Sequence, residues 1–284
     1  MSVTMQDKYS AVWVSHSSMQ DFLKCPRLYY LHNVYKDLAT GHKVSIVTPH
    51  MSLGIAVHGV LEGLGDHPAP ERMSRDLVGL FEKEWRGVSG KKGGFANEAE
   101  ETEFKKRGVA MLKNVERDPR FLLNKRIKLP RETMNPNFYL SDDENIILNG
   151  LIDWIEYLPA TDSLHIVDFK TGKREEQEAS LQLPIYLLLC NALQKRAVTK
   201  ASYWYLESDK VVEKELPDAQ SAFRDVLDIA LRVKAARVRN EFLCPKGDAG
   251  CIHCRDYELI RAKDPRAECI GVGAFKQDMY VMRT

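Results

Sequence analysis

The chain has 284 residues, of which 44% are hydrophobic and 29% are charged, a composition typical of a globular protein with one large domain or two small ones. A formal net charge of +1 excludes a uniformly basic surface for nucleic acid, so such contacts would have to come from local clusters of Lys and Arg. The N-terminus lacks the apolar segment of a signal peptide, and no apolar run is long enough to span a bilayer. We therefore expect a cytoplasmic protein with no membrane partner.

The N-terminal half of the chain is predicted to be mainly helical. Capping-box spacing, in Ser17 with Gln20 or in Ser18 with Asp21, predicts that a helix begins here. Apolar residues three and four positions apart predict further helices over residues 51–64, 71–85 and 98–116. We interpret the region of about residues 66–120 as a helical insertion, because its helices carry no recognisable chemistry.

In the second half the pattern changes to short runs that are typical of strands. Strands are predicted over residues 126–129, 138–140, 146–157 and 163–170. A long helix follows over residues 178–193, and Pro184 either kinks it or marks the start of its regular part. The remaining predicted elements are a hairpin over residues 201–206 and 210–216, a helix over 218–239 and a strand over 274–282. This order indicates a single α/β domain over residues 1–284, with a cysteine-containing segment at 242–284.

The most informative residues lie at the end of the strand predicted over residues 163–170. Residues two apart on a strand share a face, so Asp168 and Lys170 point the same way. Asp153 lies in the preceding strand, and hairpin pairing would bring it opposite Asp168. Two neighbouring carboxylates repel each other unless a cation lies between them, and oxygen ligands suit Mg²⁺ or Mn²⁺. Lys170 would then orient or deprotonate a water that attacks a phosphodiester, and balance charge at the phosphate.

Each of these residues also has an ordinary structural explanation. A single aspartate here is more often a strand-end or turn acid, and His58 amid apolar residues is more often a core histidine. Gln182 and Tyr186 are four residues apart, which is common for a pair on a helix surface. One Asp-x-Lys triplet is expected by chance about once in a chain of this length. The order and spacing of the whole set favour the functional interpretation.

Four short motifs occur in an order that resembles the RecB-like branch of the PD-(D/E)XK nuclease superfamily. They are Gly54-x-x-x-His58, Gly150-x-x-Asp153, Asp168-x-Lys170 and Gln182-x-x-x-Tyr186. Ser15-x-Ser17 followed by Phe22-x-x-Cys25-Pro26 is similar to the N-terminal motif of that branch, so the resemblance spans about residues 15–269. It implies a restriction-endonuclease-like core, with a central mixed sheet flanked by helices. It also implies Mg²⁺- or Mn²⁺-dependent cleavage of DNA in repair, recombination or CRISPR-type processing.

The resemblance implies a role for each motif residue. The implied metal ligands are His58, Asp153, Asp168 and the backbone carbonyl of Phe169. Lys170 would be the catalytic lysine, and Gln182 and Tyr186 would position it and the DNA backbone. Members of this family often have one further acid before the first aspartate, and Glu132 is the candidate here.

The cysteines predict a second metal centre. Cys251-x-x-Cys254 places two thiolates within reach of one metal, and disulfides are not expected in a reducing compartment. The resemblance places Cys25 beside this pair and implies a four-iron cluster held by four cysteines. The fourth cysteine departs from the family spacing: chain order favours Cys269, and closeness in sequence favours Cys244. A zinc site and unligated cysteines stay open as alternatives.

Two other functions are compatible with the sequence. The chain has no phosphate-binding loop of the Gly-x-x-x-x-Gly-Lys-Ser/Thr type, so it could be a DNA-binding or assembly module that works with a partner ATPase, such as a helicase, or with an integrase. The irregular cysteine spacing could also belong to an unrelated cysteine-metal protein such as a redox sensor. We favour a nuclease that acts on single-stranded DNA or DNA ends, because both aspartates and the lysine are intact.

Overall fold

The computed structural model describes residues 7–130, 135–174 and 180–283. Its strands are β1 (Val12–Val14), β2 (Lys43–Ile46), β3 (Asn137–Ser141), β4 (Ile146–Asn149), β5 (Trp154–Leu158), β6 (Ser163–Lys170), β7 (Val198–Tyr205), β8 (Lys210–Lys214), β9 (Ala267–Val272) and β10 (Gln277–Met282). Its α-helices are α1 (His16–Lys24), α2 (Pro26–Tyr29), α3 (Pro49–Leu64), α4 (Ala69–Arg72), α5 (Leu77–Trp85), α6 (Glu98–Arg117), α7 (Gln182–Leu193), α8 (Ala219–Arg239) and α9 (Arg255–Arg261). Within these ranges, none of the helices combines the length and the apolar character needed to cross a bilayer.

The strands form three small sheets. The largest has the order β5-β6-β7-β8, in which β6 and β7 are parallel and the other neighbours are antiparallel. The other two have the orders β1-β4-β3 and β2-β10-β9, and each also mixes parallel and antiparallel pairs. The predicted α/β class with mixed sheets flanked by helices is confirmed, although the strands divide among three sheets.

The strand predicted over residues 146–157 is in fact two strands in different sheets. Strand β4 ends at Asn149, and β5 begins only at Trp154. Gly150 directly follows β4, and a side chain there would lie 2.8 Å from Cδ1 of Leu189 on α7, so glycine permits this close approach. The predicted hairpin of β5 with β6 is present, with Trp154 opposite Val167. This register brings Asp153 and Asp168 to the same end of the sheet.

Helix boundaries follow local chemistry, with some differences from the prediction. Helix α1 has its capping box between Ser15 and Ser18, two residues before the nearer of the two predicted ones. The helix predicted over residues 71–85 is two helices, because Asp76 caps a new helix by accepting from the backbone N–H of Gly79. Helix α7 starts just before Pro184, the second of the two predicted possibilities.

The four-stranded sheet separates two hydrophobic cores. Alternate residues of β6 point to opposite faces: Leu164 and Ile166 pack with α7 and α8, and Val167 and Phe169 pack with α3, α5 and α6. Burying a side chain of this size stabilises the fold by roughly 1.5–3 kcal/mol. Because Asp168 shares a face with Ile166, the packing of β6 aims its carboxylate toward α7. A third core surrounds four cysteines and joins α2 and β2 to the C-terminal segment.

Candidate active site

Helix α3 contributes two polar side chains to the end of the four-stranded sheet. His58 and Glu62 are one turn apart and share a face of the helix. Other residues of α3, among them Leu53 and Val57, are buried in the second core and fix the orientation of the helix. A Cβ at Gly54 would lie 3.5 Å from Oγ1 of Thr171, the residue that directly follows β6. Helix α3 therefore packs closely against the end of the strand that carries the aspartate and the lysine.

His58, Glu62 and Asp153 form a compact group of metal-type ligands. One ligand atom from each lies within 4.8 Å of the others. The Nδ1 atom of His58 is 3.4 Å from Oδ1 of Asp153 and 3.7 Å from Oε1 of Glu62. The other oxygen of Asp153 accepts a 2.8 Å hydrogen bond from the backbone N–H of Phe169. Phe169 thus contributes its N–H here, and its predicted use as a carbonyl ligand stays a prediction.

Asp168 lies in a second, connected network. Its Oδ2 is 2.8 Å from Nζ of Lys170, and its Oδ1 accepts from Nε2 of Gln182 at 2.8 Å and from the hydroxyl of Tyr186 at 3.1 Å. The Nζ atom of Lys170 also donates to Oε1 of Gln182 at 2.7 Å and lies 4.7 Å from the ring centroid of Tyr203. The structure thus brings Asp168, Lys170, Gln182 and Tyr186 together, in line with the resemblance.

The two networks influence each other electrostatically. Burial and the nearby carboxylate of Asp153 raise the pKa of Asp168 to about 7, although Lys170 opposes the rise. Burial lowers the pKa of His58, but Asp153 and Glu62 outweigh it and raise the pKa to about 10. Burial and the charge of Asp168 hold the pKa of Tyr186 well above its usual range. Burial is the largest cause of the raised pKa values of Asp168 and Tyr186, and the neighbouring carboxylates add to it.

The donor set fits a hard divalent cation. Two carboxylates and an imidazole converge, and the carboxylate of Asp168 faces the same end of the sheet. Oxygen-rich sites with one nitrogen suit Mn²⁺ and Mg²⁺. Both oxygens of Asp168 already have hydrogen-bond partners, so Asp168 would bind a cation through the lone pairs that remain.

One residue of this group was not predicted from the sequence. Glu62 was not predicted, although its position four residues after His58 on one helix face was a usable signal. Glu132, the predicted additional acid, lies outside the described residues.

Four cysteines form a separate group at the junction of the chain ends. Their Sγ atoms lie within 4.8 Å of one another, and Cys254 is 3.8 Å from both Cys244 and Cys251. Cys25 joins them from the boundary between α1 and α2. Cys269 does not belong to this group: it lies exposed on β9, opposite Tyr280 of β10. The preference for Cys269 is therefore corrected in favour of the alternative, Cys244.

Backbone turns explain why Cys244 reaches the group. Gly247 and Gly250 adopt left-handed conformations, with φ of 72° and 75°, which residues other than glycine adopt less readily. Hydrogen bonds from the N–H of Gly247 to the carbonyl of Cys244 and from Gly250 to Gly247 close these turns. The chain therefore folds back between Cys244 and Cys251, and both thiols face the same point.

The pKa values of the cysteine thiols in this group differ. Burial raises the pKa of Cys25 to about 12. In Cys251, burial also raises the pKa, but N–H groups of Cys254 and His253 outweigh it and lower the pKa to about 7. Such a group fits either an iron–sulfur cluster or zinc, both of which bind thiolates.

The fold and the site define the class of this protein. A mixed sheet that presents carboxylates and a lysine at one end, beneath a helix with a histidine, supports metal-dependent hydrolysis of phosphodiesters. The family model of the PD-(D/E)XK nuclease superfamily matches residues 13–256 of the sequence, and the chain belongs to this superfamily. The matched region contains both networks and the four-cysteine group but not Cys269. A search of curated proteins finds no match.

Proposed function

We propose that the chain is a Mg²⁺- or Mn²⁺-dependent deoxyribonuclease of the RecB-like branch that acts on single-stranded DNA or DNA ends. One observation carries the proposal: the ammonium of Lys170 is held between Asp168 and Gln182, beside the His58–Glu62–Asp153 group. The ordered motifs support the branch and a role in DNA repair, recombination or CRISPR-type processing. The substrate class is inferred from the superfamily.

The residues of the site form two networks with different roles, metal binding and positioning. A divalent cation held by His58, Glu62, Asp153 and Asp168 would lower the pKa of a water and neutralise charge at the phosphate. Lys170 orients the attacking water and balances charge on the phosphate. Gln182 fixes both Lys170 and Asp168, because its amide oxygen accepts from the lysine while its amide nitrogen donates to the carboxylate. Tyr186 donates to the same carboxylate and keeps it oriented.

Cleavage of end-labelled single- and double-stranded DNA tests the proposal. We expect cleavage with Mg²⁺ or Mn²⁺ and none with a chelator. Asp168→Ala and Lys170→Met should each lower the rate by at least about 10²-fold, as is usual when a catalytic group is removed. Asp228→Ala is the matched control, because this aspartate on α8 is exposed and its ion pair with the exposed Arg232 is long, at 3.9 Å. A protein that cuts no DNA with either metal, or an unchanged Asp168→Ala variant, would overturn the proposal.

We further propose that Cys25, Cys244, Cys251 and Cys254 hold a [4Fe-4S] cluster that joins the chain ends. Their closeness and their apolar surroundings support it. Protein purified without oxygen should be brown and contain about four iron atoms and four sulfides per chain. A colourless protein with about one zinc would establish the zinc alternative, and a metal-free protein would establish unligated cysteines.

A further inference from the structure

Arg126 connects the two sides of the His58–Glu62–Asp153 group. Its Nη1 donates to the backbone carbonyl of Glu62 and its Nη2 to the backbone carbonyl of Asp153, each at 2.8 Å. Glu62 lies near the end of α3 and Asp153 directly precedes β5. One side chain therefore spans the helix and the sheet that supply the ligands, and these two bonds use carbonyl oxygens rather than the carboxylates.

Arg126 is itself held firmly in place. The backbone on either side of it pairs with β5: the N–H of Ile127 donates to the carbonyl of Ile155, and the N–H of Tyr157 donates to the carbonyl of Lys125, both at 2.8 Å. Its guanidinium lies 4.7 Å from the ring centroid of Trp154, an arrangement that favours a cation over an aromatic face. The planar fork of donors is thus oriented before any metal binds.

We propose that Arg126 is a positioning residue that sets the separation of Glu62 and Asp153 and thereby the affinity of the site for a divalent cation. This inference rests on the proposed metal-dependent function. Without the guanidinium, two backbone carbonyls with partial negative charge would face each other without a shared donor. The end of α3 and the start of β5 would then move apart. Losing a residue that orients metal ligands typically weakens metal binding by about 10–100-fold.

Three variants separate this role from a general effect on the fold. Arg126→Gln removes the fork. Gly65→Ala keeps Arg126 but adds a Cβ that would overlap the guanidinium and lie 2.6 Å from Cδ of Arg126. The backbone of Gly65, with φ of −65°, accepts alanine without strain, so the arginine has to move.

Arg72→Lys is the matched control. Arg72 also stacks on Trp154, at 4.9 Å from the ring centroid. Within the described part of the chain, its hydrogen bonds go to backbone carbonyls outside the metal group, those of Leu64, His67, Leu122 and Asn124.

The test is calorimetric titration of the full chain with Mn²⁺, after thermal melts have shown that each variant unfolds cooperatively. We expect Arg126→Gln and Gly65→Ala to bind Mn²⁺ about 10–100-fold more weakly than the original chain, and Arg72→Lys to bind it unchanged. The Mn²⁺ concentration for half-maximal cleavage should rise by the same factor, and the rate at saturating Mn²⁺ should recover. If Arg126→Gln does not fold, Gly65→Ala decides.

The outcomes distinguish this inference from the proposed function. If the unsubstituted chain binds Mn²⁺ and the folded Arg126→Gln and Gly65→Ala variants bind it equally well, the positioning role is overturned. The nuclease proposal then stands. If the unsubstituted chain binds no Mn²⁺, both the proposed function and the positioning role are overturned. Weaker binding in Arg72→Lys as well would show that the effect comes from packing around Trp154 and would also overturn the positioning role.

Discussion

In the metal-free protein the raised pKa of His58 keeps its imidazole protonated near neutral pH, and the raised pKa of Asp168 lies in the neutral range. The pKa of Asp168 is raised to about 7 by burial and by Asp153, and the pKa of His58 is raised to about 10, mainly by Asp153 acting against burial. Because metal ligands must be deprotonated, a cation has to displace these protons. We expect Mn²⁺ to bind at least about tenfold more tightly at pH 8 than at pH 6. Calorimetry in two buffers of different ionisation enthalpy would count the protons released.

The stability of the metal-free chain should fall as pH rises, whereas its affinity for Mn²⁺ should rise. Both pKa values are raised in the folded state, so the stability these groups contribute is complete below their unfolded values and is lost as pH rises through about 7 and 10. The metal-free chain should therefore melt at lower temperature at pH 8 than at pH 6, and Mn²⁺ should reverse the loss. Asp228→Asn, an exposed site on α8, should keep both trends. Equal Mn²⁺ affinity at the two pH values would contradict the prediction.

Elements whose ends depend on local chemistry could be predicted from the sequence. Helix α6 and helix α8 end within a residue or two of their predicted limits, because caps and helical periodicity are local signals. The break between β4 and β5 could not be predicted, since it depends on the approach of Gly150 to a helix that comes later in the chain. The choice of Cys244 over Cys269 had the same origin, because only the assembled turns and the pairing of β9 decide which thiol reaches the group.

A single substitution tests how tightly α6 packs against α5. A Cβ at Gly108 on α6 would overlap the ring of Phe81 on α5 and lie 3.1 Å from Leu53 on α3. Gly108→Ala should therefore destabilise the fold by about 1–3 kcal/mol, as overpacking does. Gly63→Ala is the matched control, because this change places the added Cβ more than 4 Å from every described residue outside its own helix and chain neighbours. Alanine should stabilise α3 there by about 0.5–1 kcal/mol.

Urea denaturation of both glycine variants measures the free energy of unfolding, and the slope with urea concentration checks that unfolding remains two-state. The two substitutions add the same methyl group to a helix, so any difference between them comes from the neighbours. A Gly108→Ala variant as stable as Gly63→Ala would show that α6 can move away from Phe81 and that this helix is not tightly packed.

At the scale of the whole molecule, the N-terminal and C-terminal regions are in contact, and two of these contacts are a strand pairing and the cysteine group. Strand β2 pairs with β10, and Cys25 meets three cysteines more than 200 residues further along the chain. A cluster held by all four would close a very long loop, which restricts the unfolded chain far more than the folded one. The third core, which includes Leu28, Leu31 and Tyr257, packs directly around this junction. Loss of the cluster should therefore lower the stability of the whole chain rather than of one loop.

Cys254→Ser tests this coupling. We expect loss of visible absorbance and a decrease in stability of about 3 kcal/mol, equivalent to roughly 6–12 °C in Tm. Cys269→Ser should retain both colour and Tm, because Cys269 is exposed and outside the group. Cys190→Ser shows what a hydroxyl costs at a buried site without a cluster, and it should keep the colour. If Cys254→Ser loses the colour but melts no lower than Cys190→Ser, the cluster does not join the chain ends, and the pairing of β2 with β10 together with the third core holds them together.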